Sequence, residues 1–503
     1  MNTSRVRPTE GQVTEVTKAI PKAPSADEFC EDCGYQPELK RTLSAFQVFA
    51  VSFAFISVAV GIFGTYDDLL RSSGPVGIWT WIIASGGQLL IALVIAQFAA
   101  RIPLSGSSYQ WGSRLANPKI GWFFGWLTFC YLMTGLMAID NAMSSTCLVP
   151  LFNMAPDEGT ARLITAVVMV IQAVLAIAST RIVALINSAA VAIELTIVVV
   201  LVIALLVAVA VTGDGSVDNL ASRGVTEGAP NYFAFGGGLM AAMLVGLSTL
   251  VGFDSAANMA EEAKNPFRSV PRAIVLSVVA ASVLGLAFLI ALTIAIGNVS
   301  EVSAAGSPVA MIMHDQLGPV TERIFLAAIA IAFFGGGMVT LTSCSRMIFA
   351  MSRDDRFPAH QLMRRVNRRT QTPIPATIAP VVIGIAVLAV LPGNALLELI
   401  TSGTVFPALT YAMIVILYLS VRKRLTRQEG AFDLGRFEKP VSIAALAWSI
   451  CALVILLSPA NALVPAVIVA NLLGVGALYF AYMVMFKRDV LANEPGEAAV
   501  FSH

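Results

Sequence analysis

Gly246-Leu247-Ser248-Thr249-Leu250-Val251-Gly252-Phe253-Asp254-Ser255-Ala256-Ala257-Asn258 lies within an apolar run over residues 235–260. Gly, Ser and Thr, followed by an aspartate, stand near the middle of a stretch otherwise long enough to cross a bilayer. Five apolar runs earlier, Phe55-Ile56-Ser57-Val58-Ala59-Val60-Gly61-Ile62-Phe63-Gly64-Thr65 places a serine and two glycines in the middle and at the end of the first run. Glycine in a single membrane helix often only lets a neighbour pack closely. Matched interruptions five helices apart are a different pattern: carriers built from inverted five-helix repeats break the first helix of each repeat. An unwound turn frees N–H and C=O groups at the membrane midplane. Half-helix N-termini there can hold a carboxylate, and freed carbonyls can hold a cation or an ammonium group.

The rest of the chain supplies the helices this reading needs. Of its 503 residues 57% are hydrophobic and 13% charged, with a mean hydropathy of +0.79; a soluble chain carries about 25% charged residues. About twelve runs reach the length of roughly 20 apolar residues that one crossing requires. They cover 43–65, 76–100, 119–147, 159–180, 183–211, 235–260, 271–297, 321–351, 373–391, 395–420, 440–458 and 461–486. Hydrocarbon offers backbone groups no water, so these runs are expected to be helices. A membrane β-barrel would alternate in ten-residue segments, and Val198 to Ala210 does not. The fold class expected is all-α integral membrane. Its parts are a cytosolic N-terminal tail (1–42), helices one to five (43–211), helices six to ten (235–420), two further helices (440–486) and a cytosolic C-terminal tail (487–503). The N-terminal tail has no apolar core with a cleavage site, so it does not read as a signal peptide; its polarity predicts disorder up to about Tyr35.

Cytoplasmic loops of membrane proteins collect Lys and Arg. With an N-terminus inside and twelve crossings, only Arg71, Arg162, Arg223 and Arg323 of the 32 Lys and Arg residues fall outside. A miscount of one helix would scramble that asymmetry. The basic residues are therefore topological, and neither they nor the net charge of +1 points to nucleic acid. Cys30 and Cys33 form a lone C-x-x-C; zinc needs a second pair of ligands nearby, so both read as ordinary thiols. Cys130, Cys147, Cys344 and Cys451 lie in apolar runs, where cysteine behaves as a small hydrophobe.

Several motifs stand out along the chain: Val251-Gly252-Phe253-Asp254 with Ala260-Glu261-Glu262-Ala263-Lys264-Asn265-Pro266 and Arg268-x-x-Pro271-Arg272-Ala273-Ile274; Gly34-Tyr35-Gln36-Pro37-Glu38-Leu39-Lys40-Arg41; Pro103-x-Ser105-Gly106-x-Ser108-Tyr109-Gln110-Trp111, Pro118-Lys119 and Gly125-Trp126; and Arg353-Asp354 to Phe357-Pro358 with Pro373-x-Pro375-Ala376. Together they resemble the amino acid–polyamine–organocation superfamily of permeases, and its GABA/choline-type amino acid permease branch fits best. The resemblance runs from about residue 34 to 486. It implies a LeuT-like fold of two inverted repeats, helices one to five and six to ten, plus two peripheral helices. It also implies a plasma-membrane permease that imports amino acids or related amines such as GABA, most often as a proton symporter working by alternating access. A polyamine- or choline-type permease or exchanger is the alternative. Many members have Gly-Ser-Gly-Ile-Phe at the first break, where this chain has Ala59-Val60-Gly61-Ile62-Phe63. β-Branched Val60 resists unwinding. A backbone clamp for a substrate carboxylate is less assured, and a substrate without an α-amino-acid head group gains ground.

Within this frame the candidate substrate-binding residues are Ile56, Ser57, Gly61, Thr249, Val251, Gly252, Phe253, Asp254, Thr401 and Thr404. Asp254 either faces a substrate amine or caps the second half-helix, since Asp is a favoured N-cap. Phe253 is either a gate or core packing. Glu194, in an apolar run with no basic residue one turn away, is the candidate for proton coupling. Desolvation favours the neutral form of a buried carboxyl, so the alternatives are a neutral structural group or a partner for a substrate ammonium. Glu261 is expected to form an inner-gate or loop-anchoring ion pair with Lys264, Arg268 and Arg272, a structural role first. Asp140, near the outer end of the third run, reads as an interfacial or outer-vestibule charge rather than a site residue. Thr340, Thr342, Ser343 and Ser345 either line a sodium site or bond to their own helix. No soluble catalytic constellation, histidine cluster or P-loop is present, so the chain reads as neither an enzyme nor an ATP-driven pump. A non-transporting membrane enzyme or sensor would need a polar catalytic cluster or a sizeable signalling domain. No cofactor or metal is called for; the coupling ion expected is H+. The partners expected are a small-molecule substrate and the lipid bilayer, with oligomeric state left open.

Overall fold

The computed structural model describes residues 25–36, 39–154, 157–305, 307–391, 393–425, 432–458 and 463–492, without the side chains of 180, 393–402 and 463–466. Its elements are helical throughout; among the described residues the one β feature is an isolated parallel bridge between Leu43 and Ala263. Ten helices are long and apolar enough to cross a membrane, and two shorter apolar helices, Gly238–Thr249 and Ile374–Val390, occupy the sixth and ninth predicted runs. The chain is an all-helical multi-pass membrane protein, as its hydropathy predicts. Exposed Ile203, Val207 and Val211 on the fifth span belong to an apolar outer surface of the kind a bilayer covers.

Local sequence sets where the spans begin and end. Ser44 opens the first span in a capping box, accepting from Gln47 N while its own N–H donates to Gln47 Oε1 at 2.8 Å. Asn117 caps the third (Pro118–Ala142), with Pro118 in the first helical position. Ser179 caps the fifth (Thr180–Thr212), which ends on Gly213 at φ 74°. The eighth, Pro308–Arg353, bends at Gly318 (φ 81°) ahead of Pro319. The third span packs between the eighth and tenth, the fifth lies along the eighth, and the seventh (Pro266–Ile294) covers the first and second.

Two sequence expectations are corrected. The tail is not disordered all the way to Tyr35: residues Ala26–Asp32 form a helix with its own capping box from Ser25 to Glu28. Its Phe29 meets Phe267 edge-on at 5.7 Å, and Cys30, Cys33 and Tyr35 are buried. A few apolar side chains in a polar stretch were enough to dock it; residues 1–24 lie outside the described residues. Burial pushes the Cys30 thiol up to about 12, with Glu261 adding to it, and burial likewise raises Cys33. Both stay protonated and unreactive near neutral pH. Asp140, second, is not interfacial. It is fully buried on the third span, where its Oδ1 accepts from Gln172 Nε2 of the fourth span at 2.9 Å. The side of the helix its side chain leaves from, not its distance along the run, decides its surroundings.

Both predicted interruptions exist. In the first span one helix covers Ala45–Ile56 and a second covers Val58–Ser73, joined through Ser57 alone at φ 36°, ψ 86°. This is tighter than a Ser57–Gly61 unwinding; Val60 remains helical, in line with its stiffness. The sixth span opens further. Helix Leu244–Thr249 ends, the chain turns through Leu250–Asp254 with Gly252 at φ 79°, and a single turn resumes at Ser255–Asn258. The segment entering the first span and the one leaving the sixth are joined by main chain alone: Leu43 N donates to Glu262 O, and Lys264 N donates to Leu43 O, each at 3.0 Å.

Candidate substrate-binding site

The two breaks meet. A Cβ on Gly61 would lie 2.3 Å from Thr249 Oγ1, and one on Gly252 would lie 1.8 Å from Phe55 Cδ1. Only glycine at these positions lets the spans approach so closely. Beside this contact lies a cavity of about 110 Å3, walled by the first, third, sixth, eighth and tenth spans. Ile56, Ser57, Gly61, Thr249, Val251 and Thr404 line it. Small residues on the facing helices, Gly135, Gly336 and Gly403, leave the space.

The wall is mostly apolar, and among the described residues no Asp, Glu, Lys, Arg or His lines it. Its polar groups are hydroxyls. Two of them, Thr249 Oγ1 and Tyr131 Oη, are buried without a hydrogen-bond partner among the described residues. Buried polar groups are nearly always satisfied, so unpaired hydroxyls on a cavity wall mark where a ligand's polar atoms would bond.

Gly252, Phe253 and Asp254 are not among the lining residues. Tyr411 of the tenth span holds this turn: its hydroxyl donates to Asp254 Oδ1 at 2.6 Å and accepts from Gly252 N at 3.0 Å. Phe253 stacks on the Tyr411 ring, with centroids 4.9 Å apart, and its carbonyl accepts from Ser52 Oγ at 2.7 Å. Asp254 precedes the Ser255–Asn258 turn but makes no side-chain cap bond there. Its carboxylate braces the unwound segment from behind. Thr401 lies in the tenth helix, Gly393–Val421, and its side chain is outside those described.

Glu194 is buried on the fifth span, and its Oε1 accepts two bonds from the first break: Ser57 Oγ at 3.0 Å and Ala59 N at 3.1 Å. The second half-helix starts without a side-chain cap of its own. Glu194 supplies an acceptor from another span for one of the orphan N–H groups at a helix start, at the positive end of the helix dipole.

At the basic end of the bundle, Glu261 pairs with Arg353 (Nη2 to Oε1, 3.1 Å) rather than with Lys264, Arg268 or Arg272, and it accepts from Ser105 N at 3.0 Å. The three expected partners follow it in sequence but point elsewhere. Arg353 lies 3.5 Å over the Tyr35 ring, and Tyr35 donates to Asp354 at 2.9 Å. Glu262 makes a separate buried pair with Arg346 at 2.6 Å. In the eighth span Thr340 and Thr342 bond back to Gly336 O and Met338 O, and Ser345 bonds to Thr377. Among the described residues no group of three or more His, Cys, Asp or Glu is placed to hold a metal.

Sequence reasoning missed Tyr131 and Tyr411. The signal was there in form: a tyrosine deep in an apolar helix needs a partner for its hydroxyl. What it lacked was any indication of which helix supplies one.

The amino acid permease family model matches residues 43–486. The chain is similar to amino-acid permease BAT1 of Arabidopsis thaliana, 26% identical over 85% of this chain and 87% of the relative. It is similar to amino-acid permease 2 of Neurospora crassa, 26% identical over 90% and 85%. It is also similar to the GABA-specific permease of Saccharomyces cerevisiae, 25% identical over 87% and 78%.

Proposed function

The chain belongs to the amino acid permease family, and from this premise we propose that it imports a short amino acid or ω-amino acid such as GABA across the plasma membrane, coupled to protons. It is an amino acid transporter, not an enzyme. The observation that carries the substrate reading is the cavity between the two breaks. An apolar wall with hydroxyls, and with two broken helices beside it, suits a short aliphatic chain with polar ends. Among the described residues no carboxylate lines it, which disfavours a polycationic substrate. The breaks five spans apart support two inverted repeats, 43–211 and 235–420, with 440–486 peripheral. The Lys and Arg distribution supports cytoplasmic termini.

Glu194 is the proposed proton carrier. As a carboxylate it accepts from Ser57 and Ala59 with charge-assisted strength; protonation weakens both bonds. Loading a proton would thereby loosen the bend of the first span, which is a route from protonation to alternating access. The test is reconstitution in liposomes with a panel of amino acids, GABA, putrescine and choline, with and without a pH gradient. Gradient-dependent uptake of GABA or a short amino acid is expected. Absence of uptake of every compound overturns the substrate reading. Glu194→Gln should abolish the pH-gradient response while retaining substrate exchange; an unchanged pH dependence removes Glu194 from the mechanism.

A further inference from the structure

At the basic end of the bundle, separate stretches of chain close around a second cavity, of about 670 Å3. Lys40 and Arg41 come from the segment entering the first span, Arg181 from the start of the fifth, Lys264 from the segment after the sixth, and Arg369 from the loop before the ninth. Among the described residues no Asp or Glu lines it. Arg41 is neutralised by Asp27 at 2.6 Å. Among the described residues, Lys40, Arg181, Lys264 and Arg369 have no carboxylate within ion-pair distance.

The topological bias toward Lys and Arg at cytoplasmic ends explains the sign of these residues. It does not by itself bring five of them to the walls of one volume, where an anion would relieve their mutual repulsion. Two further features lie on the same walls. Ser179, the N-cap of the 33-residue fifth helix, lines the cavity, so the positive end of that helix dipole faces it. Thr42 Oγ1, on the wall, is shielded from solvent and unpartnered.

We propose that this cavity is a binding site for a phosphate-bearing anion, either the headgroup of an anionic phospholipid or a soluble phosphate compound. Phosphate oxygens accept from several Lys and Arg donors at once, and a site at the membrane surface is reached from either source. The walls join the segments next to both broken spans to the start of the fifth. Occupancy therefore stabilises the arrangement in which these segments meet. The proposal stands apart from the substrate cavity and does not depend on what that cavity carries.

The test is thermal unfolding of the full chain at fixed ionic strength in two arms. One titrates sodium pyrophosphate into detergent-solubilised protein. The other compares nanodiscs of phosphatidylcholine with nanodiscs containing increasing phosphatidylglycerol. Wild type should be stabilised in at least one arm: a response to lipid alone identifies a headgroup, to pyrophosphate alone a soluble phosphate, and to both the shared chemistry. A Lys40→Gln/Arg181→Gln/Arg369→Gln variant should need on the order of a hundredfold more ligand for the same stabilisation, from roughly fivefold per charge. Lys423→Gln/Lys439→Gln, at the same end but off the cavity, should respond as wild type. If the triple variant does not fold, Arg181→Gln and Arg369→Gln singly should each show about the fivefold loss. No stabilisation in either arm, or equal stabilisation of wild type and cavity variants, overturns the proposal.

Discussion

Glu194 on the fifth span accepts a hydrogen bond from Ser57 at the bend of the first at 3.0 Å, across 137 residues of sequence. The same oxygen takes Ala59 N at 3.1 Å, so one carboxyl oxygen holds the hinge from outside its own helix. Ser57→Ala should lower stability by about 1–2 kcal/mol through loss of one buried bond. Ser57→Gly loses the same bond but relaxes a left-handed backbone at φ 36°. It should therefore unfold at a higher temperature than Ser57→Ala. Thermal unfolding of the two variants side by side checks this, and the reverse order would mean that the bend is not strained.

Gly252 combines φ 79° with a Cβ position 1.8 Å from Phe55. Gly252→Ala should cost about 2–4 kcal/mol, from left-handed geometry and overpacking together, and should abolish uptake. Phe55→Ala in the same chain relieves only the steric part, so partial recovery of stability is the expected reading.

A Cβ on Gly337 of the eighth span would fall 2.2 Å from Asp140 Oδ1 and 2.4 Å from Gln172 Nε2. Gly337→Ala should separate that pair and destabilise by about 1–3 kcal/mol. Asp140→Asn keeps a carbonyl acceptor for Gln172 and should be tolerated. A comparable loss in Asp140→Asn would show that its charge, and not its acceptor, matters.

Glu262 and Arg346 form a buried ion pair at 2.6 Å. Removing one partner strands the other, so Glu262→Gln should cost about 3–5 kcal/mol. Glu262→Leu/Arg346→Met should recover most of it. Thermal midpoints of the single and double variants decide, and a double variant no better than the single would argue against stranding.

Burial holds the Cys30 thiol at about 12 against an ordinary 9.0. At pH 8 the folded protein should thus expose roughly a thousandfold less thiolate than a free cysteine. Maleimide labelling of Cys30, followed by mass spectrometry, should be slow when folded and fast after denaturation. Because the folded value is the higher one, this thiol favours folding fully below pH 9, and the benefit is lost as pH rises from about 9 toward about 12.

The sequence was a good guide wherever a property repeats along the chain. Apolar runs gave the spans, and paired irregularities gave the breaks near Ser57 and Gly252. It was a poor guide to contacts between distant segments. Glu194 was legible as a costly buried carboxyl, but nothing in Ala192 to Thr196 names Ser57 as its partner. Glu261 was legible as half of an ion pair, yet neighbours in sequence drew attention from Arg353, which reaches it from another helix. The buried tail escaped notice because three or four docking side chains barely change the polarity of the stretch around them. Asp140 was misjudged because position along a run measures height and says nothing about which way a side chain turns.

The bridge at Leu43 and Ala263 carries a consequence for genetics. Both bonds run between peptide groups, Leu43 N to Glu262 O and Lys264 N to Leu43 O. Nearly every missense change leaves them whole, so an alanine scan would pass over a rivet that ties the two hinged rods together at their feet. Proline is the exception, since it brings no N–H. Loss of function confined to proline at Lys264, whose side chain is exposed, with other residues accepted there, would be the fingerprint of that rivet.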